Sequence, residues 1–91
     1  MIWRNLIEET KHQSLGSTRH PDIDGVDYHV TAGENTFTLQ PSNFEDDRAA
    51  GTPVFFEITG NKSGFITTDQ AMAIGMAFIK AAQQELRRTE S

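Results

Sequence analysis

The densest group of side chains that could do chemistry lies between residues 20 and 29. Residues 20–25 read His-Pro-Asp-Ile-Asp-Gly, and Asp27 and His29 follow closely. This order resembles the opening of a calcium-binding loop, which places oxygen ligands at positions one, three and five and glycine at position six. The similarity ends there, because His20 stands where a carboxylate is needed and Thr31 where a bidentate glutamate is needed. We therefore predict no calcium site.

Two other interpretations of this segment stay open. Imidazole and carboxylate ligands suit zinc or nickel, so four residues form a candidate metal site: His20, Asp22, Asp24 and His29. The alternative is a polar turn, in which the aspartates accept hydrogen bonds from backbone amides ahead of a strand. We favour the turn, and the sequence therefore predicts no metal and no cofactor.

A second charged group is the run Glu45, Asp46 and Asp47, which Arg48 follows. The chain has 13 acidic and 8 basic residues, and its net charge is −5. The acidic run is a candidate contact for a basic protein surface, and a solvated loop is the alternative. Lysines and arginines form no stripe that a phosphate backbone could follow, so we expect neither direct nucleic-acid binding nor attraction to an anionic membrane.

Known catalytic patterns are missing from the sequence. It has no cysteine, no G-x-S-x-G elbow, no phosphate-binding glycine loop and no H-E-x-x-H pair. A chain of 91 residues forms one domain, residues 1–91, with a modest core and little room for a deep cleft. We expect a protein that is not an enzyme. The lack of cysteine fits a reducing compartment, and residues 1–9 lack the apolar run of a secretion signal or membrane span, so we expect a cytoplasmic location.

The elements that would position these groups follow from hydrophobic periodicity. Residues 2–12 place their apolar side chains on one side of a short helix, with a strand as the alternative. The predicted fold is α+β: a short N-terminal helix, a three- to four-stranded antiparallel meander and a long C-terminal helix packed on the sheet. The strands are predicted at 26–31, 36–40, 53–59 and 65–67, and the loops at 14–25 and 41–52.

The C-terminal helix begins with a capping box formed by Thr67 and Gln70, and we predict its end near Arg87. A spacing of 100° per residue divides its apolar residues into two faces. The wide face consists of Ala71, Ile74, Gly75, Phe78, Ile79, Ala82 and Leu86, and the narrow face of Ala73, Ala77 and Ala81. We expect the wide face in the main core, with Gly75 and Phe78 against Val54, Phe56 and Ile58 of the sheet.

The narrow face has two interpretations. In the first, the chain's own N-terminal segment covers it or its alanines stay exposed, and in the second, a second subunit or a partner protein covers it. In the second case the protein is a homo-oligomer or docks on another protein, and the contact residues are Ala73, Met76, Ala77 and Lys80. The sheet raises the same question, because the adjacent Phe55 and Phe56 must point to opposite faces.

Residues 65–71, Phe-Ile-Thr-Thr-Asp-Gln-Ala, and residues 77–82, Ala-Phe-Ile-Lys-Ala-Ala, resemble the closing segment of small phage and bacterial proteins. In those proteins a β-meander is followed by a capped, alanine-rich helix. Gly75 and Met76 depart from the leucine-alanine pattern that is typical of such helices. The resemblance implies a phage or bacterial accessory protein and brings no catalytic residues with it.

These features together predict a small non-enzymatic protein-binding module. It would act by occupying the surface of a protein partner, for example as an inhibitor of a host system, and that surface would be basic or apolar. Its contact residues would be Glu45, Asp46 and Asp47 together with the narrow-face residues Ala73, Met76, Ala77 and Lys80. Two alternatives stay open: a small-ligand or metal-binding protein using the cluster around His20, and a homo-oligomeric structural subunit.

Overall fold

A computed structural model of the chain describes residues 3–13 and 23–90. A four-stranded antiparallel sheet carries one long helix on one of its faces, which confirms the predicted α+β class. In chain order the elements are a 3-10 turn (Trp3–Leu6), β1 (Ile7–Lys11), β2 (Val26–Ala32), β3 (Asn35–Pro41), α1 (Glu45–Ala49), β4 (Val54–Thr59) and α2 (Thr68–Glu90).

The strands follow one another across the sheet in the order β1-β2-β3-β4. Every neighbouring pair is antiparallel, so the sheet is a meander. The β2–β3 hairpin closes through Gly33 and Glu34, and Gly33 has the positive φ of 65° that such tight turns require. Alternation of apolar residues predicted β2, β3 and β4 correctly.

The helical interpretation of residues 2–12 holds only for the 3-10 turn, and the strand alternative is confirmed for Ile7–Lys11. These five residues pair with Val26–Val30 along the outer edge of β2. A helix this short is marginal in water, whereas pairing with β2 satisfies backbone hydrogen-bonding groups on both strands. The fourth strand is therefore β1.

The predicted strand at 65–67 is also wrong, because these residues do not belong to the sheet. After β4 the chain turns at Gly60 and is held by Asn35, which is buried at the start of β3. The Lys62 amide donates to Asn35 Oδ1 at 2.6 Å, and Asn35 Nδ2 donates to the Ser63 carbonyl at 3.4 Å. This anchor leads the chain away from β4 and towards the start of α2.

The capping box at the start of α2 is confirmed. The Gln70 amide donates to Thr67 Oγ1 at 3.0 Å, and the Thr67 amide donates to Gln70 Oε1 at 2.8 Å. These reciprocal bonds satisfy two backbone donors that a helix start leaves unpaired. The helix continues beyond the predicted end at Arg87, to Glu90.

The core lies between α2 and the two central strands. It is formed by large side chains from the sheet and small ones from the helix: Tyr28, Val30 and Leu39 against Ala73, Ala77 and Ala81. Partly buried Trp3, Leu6 and Ile7 pack beside it on the β1 side. The narrow face of α2, which we considered as an interface, is therefore the interior face.

The prediction that Gly75 and Phe78 belong to the main core is wrong. Gly75 is exposed, and a Cβ added there would have no neighbour within 4 Å among the described residues. Phe78 keeps 45% of its surface exposed. The physical reason is volume, because Tyr28, Val30 and Leu39 already fill the space over the central strands and only alanine fits beneath the helix.

This packing predicts opposite sensitivities at two adjacent helix positions. Ala77→Leu should lower the free energy of unfolding by about 1–3 kcal/mol, because it overfills a fully buried position. Phe78→Ala should cost less than about 1 kcal/mol, because the ring is half exposed in the monomer. Urea unfolding of both variants tests the assignment. A larger loss for Phe78→Ala than for Ala77→Leu would show that the helix faces are assigned incorrectly.

Two glycines give a second contrast. Gly75→Ala should raise the free energy of unfolding by about 0.5–1 kcal/mol, because alanine favours the helix and has room. Gly60→Ala should lower it by about 1–3 kcal/mol, because residue 60 has a φ of 103° and a Cβ would overlap the Glu34 carbonyl. Thermal melts measure both. Equal effects of the same sign would contradict this account.

Candidate protein-interaction surface

The candidate metal cluster is not assembled by the residues that the structure describes. His20 and Asp22 lie outside them. Asp24 and His29 are five residues apart on nearly extended chain, which separates them by roughly 16 Å, too far to share an ion. Within residues 3–13 and 23–90, no three histidine or carboxylate side chains are grouped as metal ligands would be.

His29 instead bonds to neighbours on the sheet face opposite α2. Its Nε2 lies 3.0 Å from Thr10 Oγ1, and its Nδ1 lies 3.1 Å from Thr38 Oγ1. Because these partners come from β1 and β3, the ring links three adjacent strands. Its role in the described structure is to join strands.

A buried histidine that the sequence analysis missed lies at the end of β1. His12 is 6% exposed, with Nδ1 2.8 Å from Asp27 Oδ1 and Nε2 3.0 Å from Asn43 Oδ1. Both ring nitrogens are thus engaged within the protein. These contacts of the His12 ring join the end of β1 to β2 and to the segment after β3, so their role is structural. No sequence signal indicated this group, because its members Asp27 and Asn43 are 15 and 31 residues away from His12 in the chain.

The predicted acidic loop contains the short helix α1, with Glu45, Asp46 and Asp47 exposed in its first turn. Asp47 also accepts a hydrogen bond from the Ser42 hydroxyl at 3.0 Å, so part of its function is local. The next residue, Arg48, anchors α1. It donates to the Ser42 carbonyl at 2.8 Å and to Glu85 Oε1 of α2 at 2.7 Å.

Glu85 is the buried centre of this anchor. It is 7% exposed and accepts a hydrogen bond from Arg88 Nε at 3.1 Å as well as from Arg48. Burial by itself would raise the pKa of the Glu85 carboxyl, but hydrogen bonds and charge from the two arginines outweigh it and lower that pKa. The Arg48–Glu85 ion pair joins α1 to α2 and keeps the acidic run of α1 beside α2.

The predicted contact residues on α2 divide between two places. Ala73 and Ala77 are buried in the core and cannot contact a partner, which corrects that part of the prediction. Met76 and Lys80 are half-buried on the β1 side, where they line a hollow with Trp3. Lys80 Nζ also lies 3.9 Å from Glu9 Oε2. The N-terminal segment therefore packs against this side of the helix, whereas the narrow face itself is covered by the sheet, which neither interpretation of that face predicted.

The opposite side of α2 has no such cover among the described residues. We call it the α2–β4 surface, and it consists of Ile74, Phe78 and Ala82 on α2 with Val54, Phe56 and Ile58 on β4. Phe56 is 62% exposed and Phe78 is 45% exposed. The surface continues past Val54 into a hollow that Leu86, 61% exposed, lines together with Arg48. Contiguous exposed apolar side chains of this kind are typical of interaction sites.

The backbone of β4 adds hydrogen-bonding groups to this surface. The Ser42 amide donates to the Pro53 carbonyl at 2.8 Å, which sets the alternation of hydrogen bonds between β3 and β4. By that alternation, the backbone groups that bond to β3 belong to Phe55, Glu57 and Thr59. The N–H and C=O groups that point outward belong to the residues between them, Val54, Phe56 and Ile58. In the described sheet no strand pairs with this outer edge.

The other edge of the sheet is different. The His12 amide donates to the Gly25 carbonyl at 2.9 Å, so by the same alternation Ile7, Glu9 and Lys11 direct their backbone groups outward. Two of these three carry a charge, and charged side chains discourage the pairing of an edge with another strand. On β4 all three corresponding residues are apolar.

Sequence reasoning did not identify this surface. The adjacent Phe55 and Phe56 indicated only that either both faces of the sheet are covered or one of the two rings is exposed. Phe56 and Phe78 were both assigned to the main core, so neither was expected to be exposed.

The chain matches no protein-family model, no curated protein and no solved structure. Across the described residues, no helix combines the length and apolar character needed to cross a membrane.

The charge network at Glu85 predicts a pH-dependent effect. Because the folded-state pKa of Glu85 lies below its unfolded value, its stabilising contribution is complete above about pH 4.5 and is lost as the pH falls through the folded pKa. Glu85→Gln should therefore cost about 1.5–3 kcal/mol at neutral pH and progressively less in acid.

Urea unfolding of the wild type and of Glu85→Gln at several pH values between neutrality and about pH 3 measures this difference. Glu45→Gln is the matched control, because Glu45 is exposed on α1 and should change stability by less than about 0.5 kcal/mol. A Glu85→Gln effect that stays constant with pH would contradict the assignment.

Proposed function

We propose that the protein is a non-enzymatic protein-binding module whose contact region is the α2–β4 surface. The observation that supports this most is the exposure of Phe56 on the open edge strand and of Phe78 on the side of α2 that faces away from β1. Water is a poor environment for such rings, so their burial by a partner is favourable. A strand edge supplies, in addition, directional backbone hydrogen bonds.

The charged groups around this surface fit the same function. Arg48 lines the hollow at the Val54 end, and α1 presents Glu45 and Asp46 beside it. An apolar centre with a charged rim is the usual anatomy of a protein interface. The partner is therefore expected to offer an apolar contact at the centre of this surface.

The broader biological role belongs to the same proposal. In its narrower form, the proposal is that the protein is a phage or bacterial accessory protein that inhibits a host system by occupying a partner surface. The resemblance of residues 65–71 and 77–82 to the closing segment of small phage and bacterial proteins supports this form. The absence of cysteine supports a reducing, cytoplasmic setting for that interaction.

Two adjacent substitutions on α2 test the proposal. Phe78→Asp places a charge on the α2–β4 surface, whereas Ile79→Asp places the same charge about 100° further around the helix, away from β4. The two side chains are similarly exposed, at 45% and 48%, so both variants should fold. Proteins captured from the native host by the wild type should be retained by Ile79→Asp and lost by Phe78→Asp.

Urea unfolding of both variants provides the folding control, with an expected loss of less than about 1 kcal/mol for each. Capture of the same proteins by all three forms would show that the α2–β4 surface is not the contact region.

A further inference from the structure

We infer that the protein which occupies the α2–β4 surface is a second copy of this chain, joined through antiparallel pairing of the two β4 strands. This inference rests on the proposed function, since it names the partner of the same surface. The dimer would have a two-fold axis perpendicular to the sheet and would extend it from four strands to eight.

The open edge of β4 is suited to pairing with itself. In an antiparallel pair, the residues that direct N–H and C=O groups outward on one strand must lie opposite such residues on the other. On β4 these are Val54, Phe56 and Ile58. Phe56 can therefore lie opposite Phe56 of the second copy, with Val54 opposite Ile58 on either side of the axis. A two-fold interface of this kind needs only one self-complementary patch.

Charge selects this register over its neighbours. A shift of two residues in one direction places Glu57 opposite Glu57 of the second copy, and like charges directly opposite each other destabilise a pair. A shift of two residues in the other direction places Ile58 of one copy beyond the start of β4, at Val54, in the second copy. Fewer residues of the two strands then pair with each other. In the register centred on Phe56, Glu57 lies opposite Phe55, and no two carboxylates are opposed.

Side chains then form a shared apolar layer. Residues that are directly opposite on paired strands point to the same face of a sheet. Phe56 belongs to the face that carries α2, because it pairs with the buried Leu39. The two Phe56 rings therefore meet on that face, and Phe78 approaches them from each helix. The interaction covers side chains that the monomer leaves in water.

The area is sufficient for a reversible dimer. With about 150–250 Å² for a whole aromatic side chain, Phe56 and Phe78 together expose roughly 200 Å² per copy. With their apolar neighbours and the strand edge, the two copies would bury roughly 1,000–1,200 Å² in total, which is just below the standard size of a stable interface and typical of a weak one. We therefore expect association that depends on protein concentration.

Equilibrium sedimentation of the full chain tests the inference. Over about 1–100 micromolar, the wild type should pass from the monomer mass of 10.2 kDa to twice that mass. Phe56→Lys should weaken the dimer by at least about tenfold, because it places two like charges opposite each other at the axis. Phe56 is 62% exposed, so this variant should fold as a monomer, which circular dichroism checks.

Two substitutions of Phe55 provide controls that depend on the register. Phe55 is 46% exposed on the other face of the same strand. Phe55→Lys would lie opposite Glu57 of the second copy and should strengthen the dimer by roughly two- to tenfold, whereas Phe55→Glu should weaken it by a similar factor. A substitution that only perturbed β4 would not reverse its effect with the sign of the charge.

A wild type that stays monomeric over the whole range would overturn the inference, and so would a dimer that Phe56→Lys leaves intact. The proposed function is judged separately. If the chain is monomeric and Phe78→Asp still loses a captured protein that Ile79→Asp retains, the α2–β4 surface binds a different protein.

Discussion

The close contact between α2 and the two central strands determines the rest of the structure. Three alanines of α2, at residues 73, 77 and 81, are buried in the core, and Val30 and Leu39 of the sheet belong to the same cluster. The rotation of the helix about its axis is set by this contact. Since successive residues differ by 100°, burying Ala77 turns Phe78 towards β4. The hidden core and the exposed surface are thus two consequences of one orientation.

Within residues 3–13 and 23–90, the two sides of the helix are covered differently. On the β1 side, the 3-10 turn brings Trp3 and Leu6 against the core, and Lys80 lies close to Glu9. On the β4 side, the described residues supply the edge strand and, at its Val54 end, Arg48 of α1. Apolar side chains that the described residues leave exposed there are available for association, and their position beside an open strand edge favours pairing with another strand.

Buried polar side chains fix the positions of the segments that connect the helices and strands. The His12 ring joins β1 to Asp27 and Asn43, and Glu85 joins α1 to α2 through Arg48. Each is buried with its hydrogen-bonding groups occupied, as buried polar side chains require. The second of these networks positions the acidic turn of α1 at one end of the α2–β4 surface, so charge and apolar contact lie next to each other.

The sequence by itself determined the features that depend on near neighbours in the chain. Alternation of apolar residues predicted β2, β3 and β4, and the Thr67 and Gln70 pair predicted the start of α2, because both signals arise within a few residues. Tertiary structure decided which helix face is buried, that residues 7–11 form a strand, and that His12 lies beside Asp27. Periodicity shows that a helix has two faces, but the face that is buried depends on the volume that distant strands already fill. The same dependence explains why Phe56 and Phe78, which look like core residues in the sequence, form the candidate interaction surface.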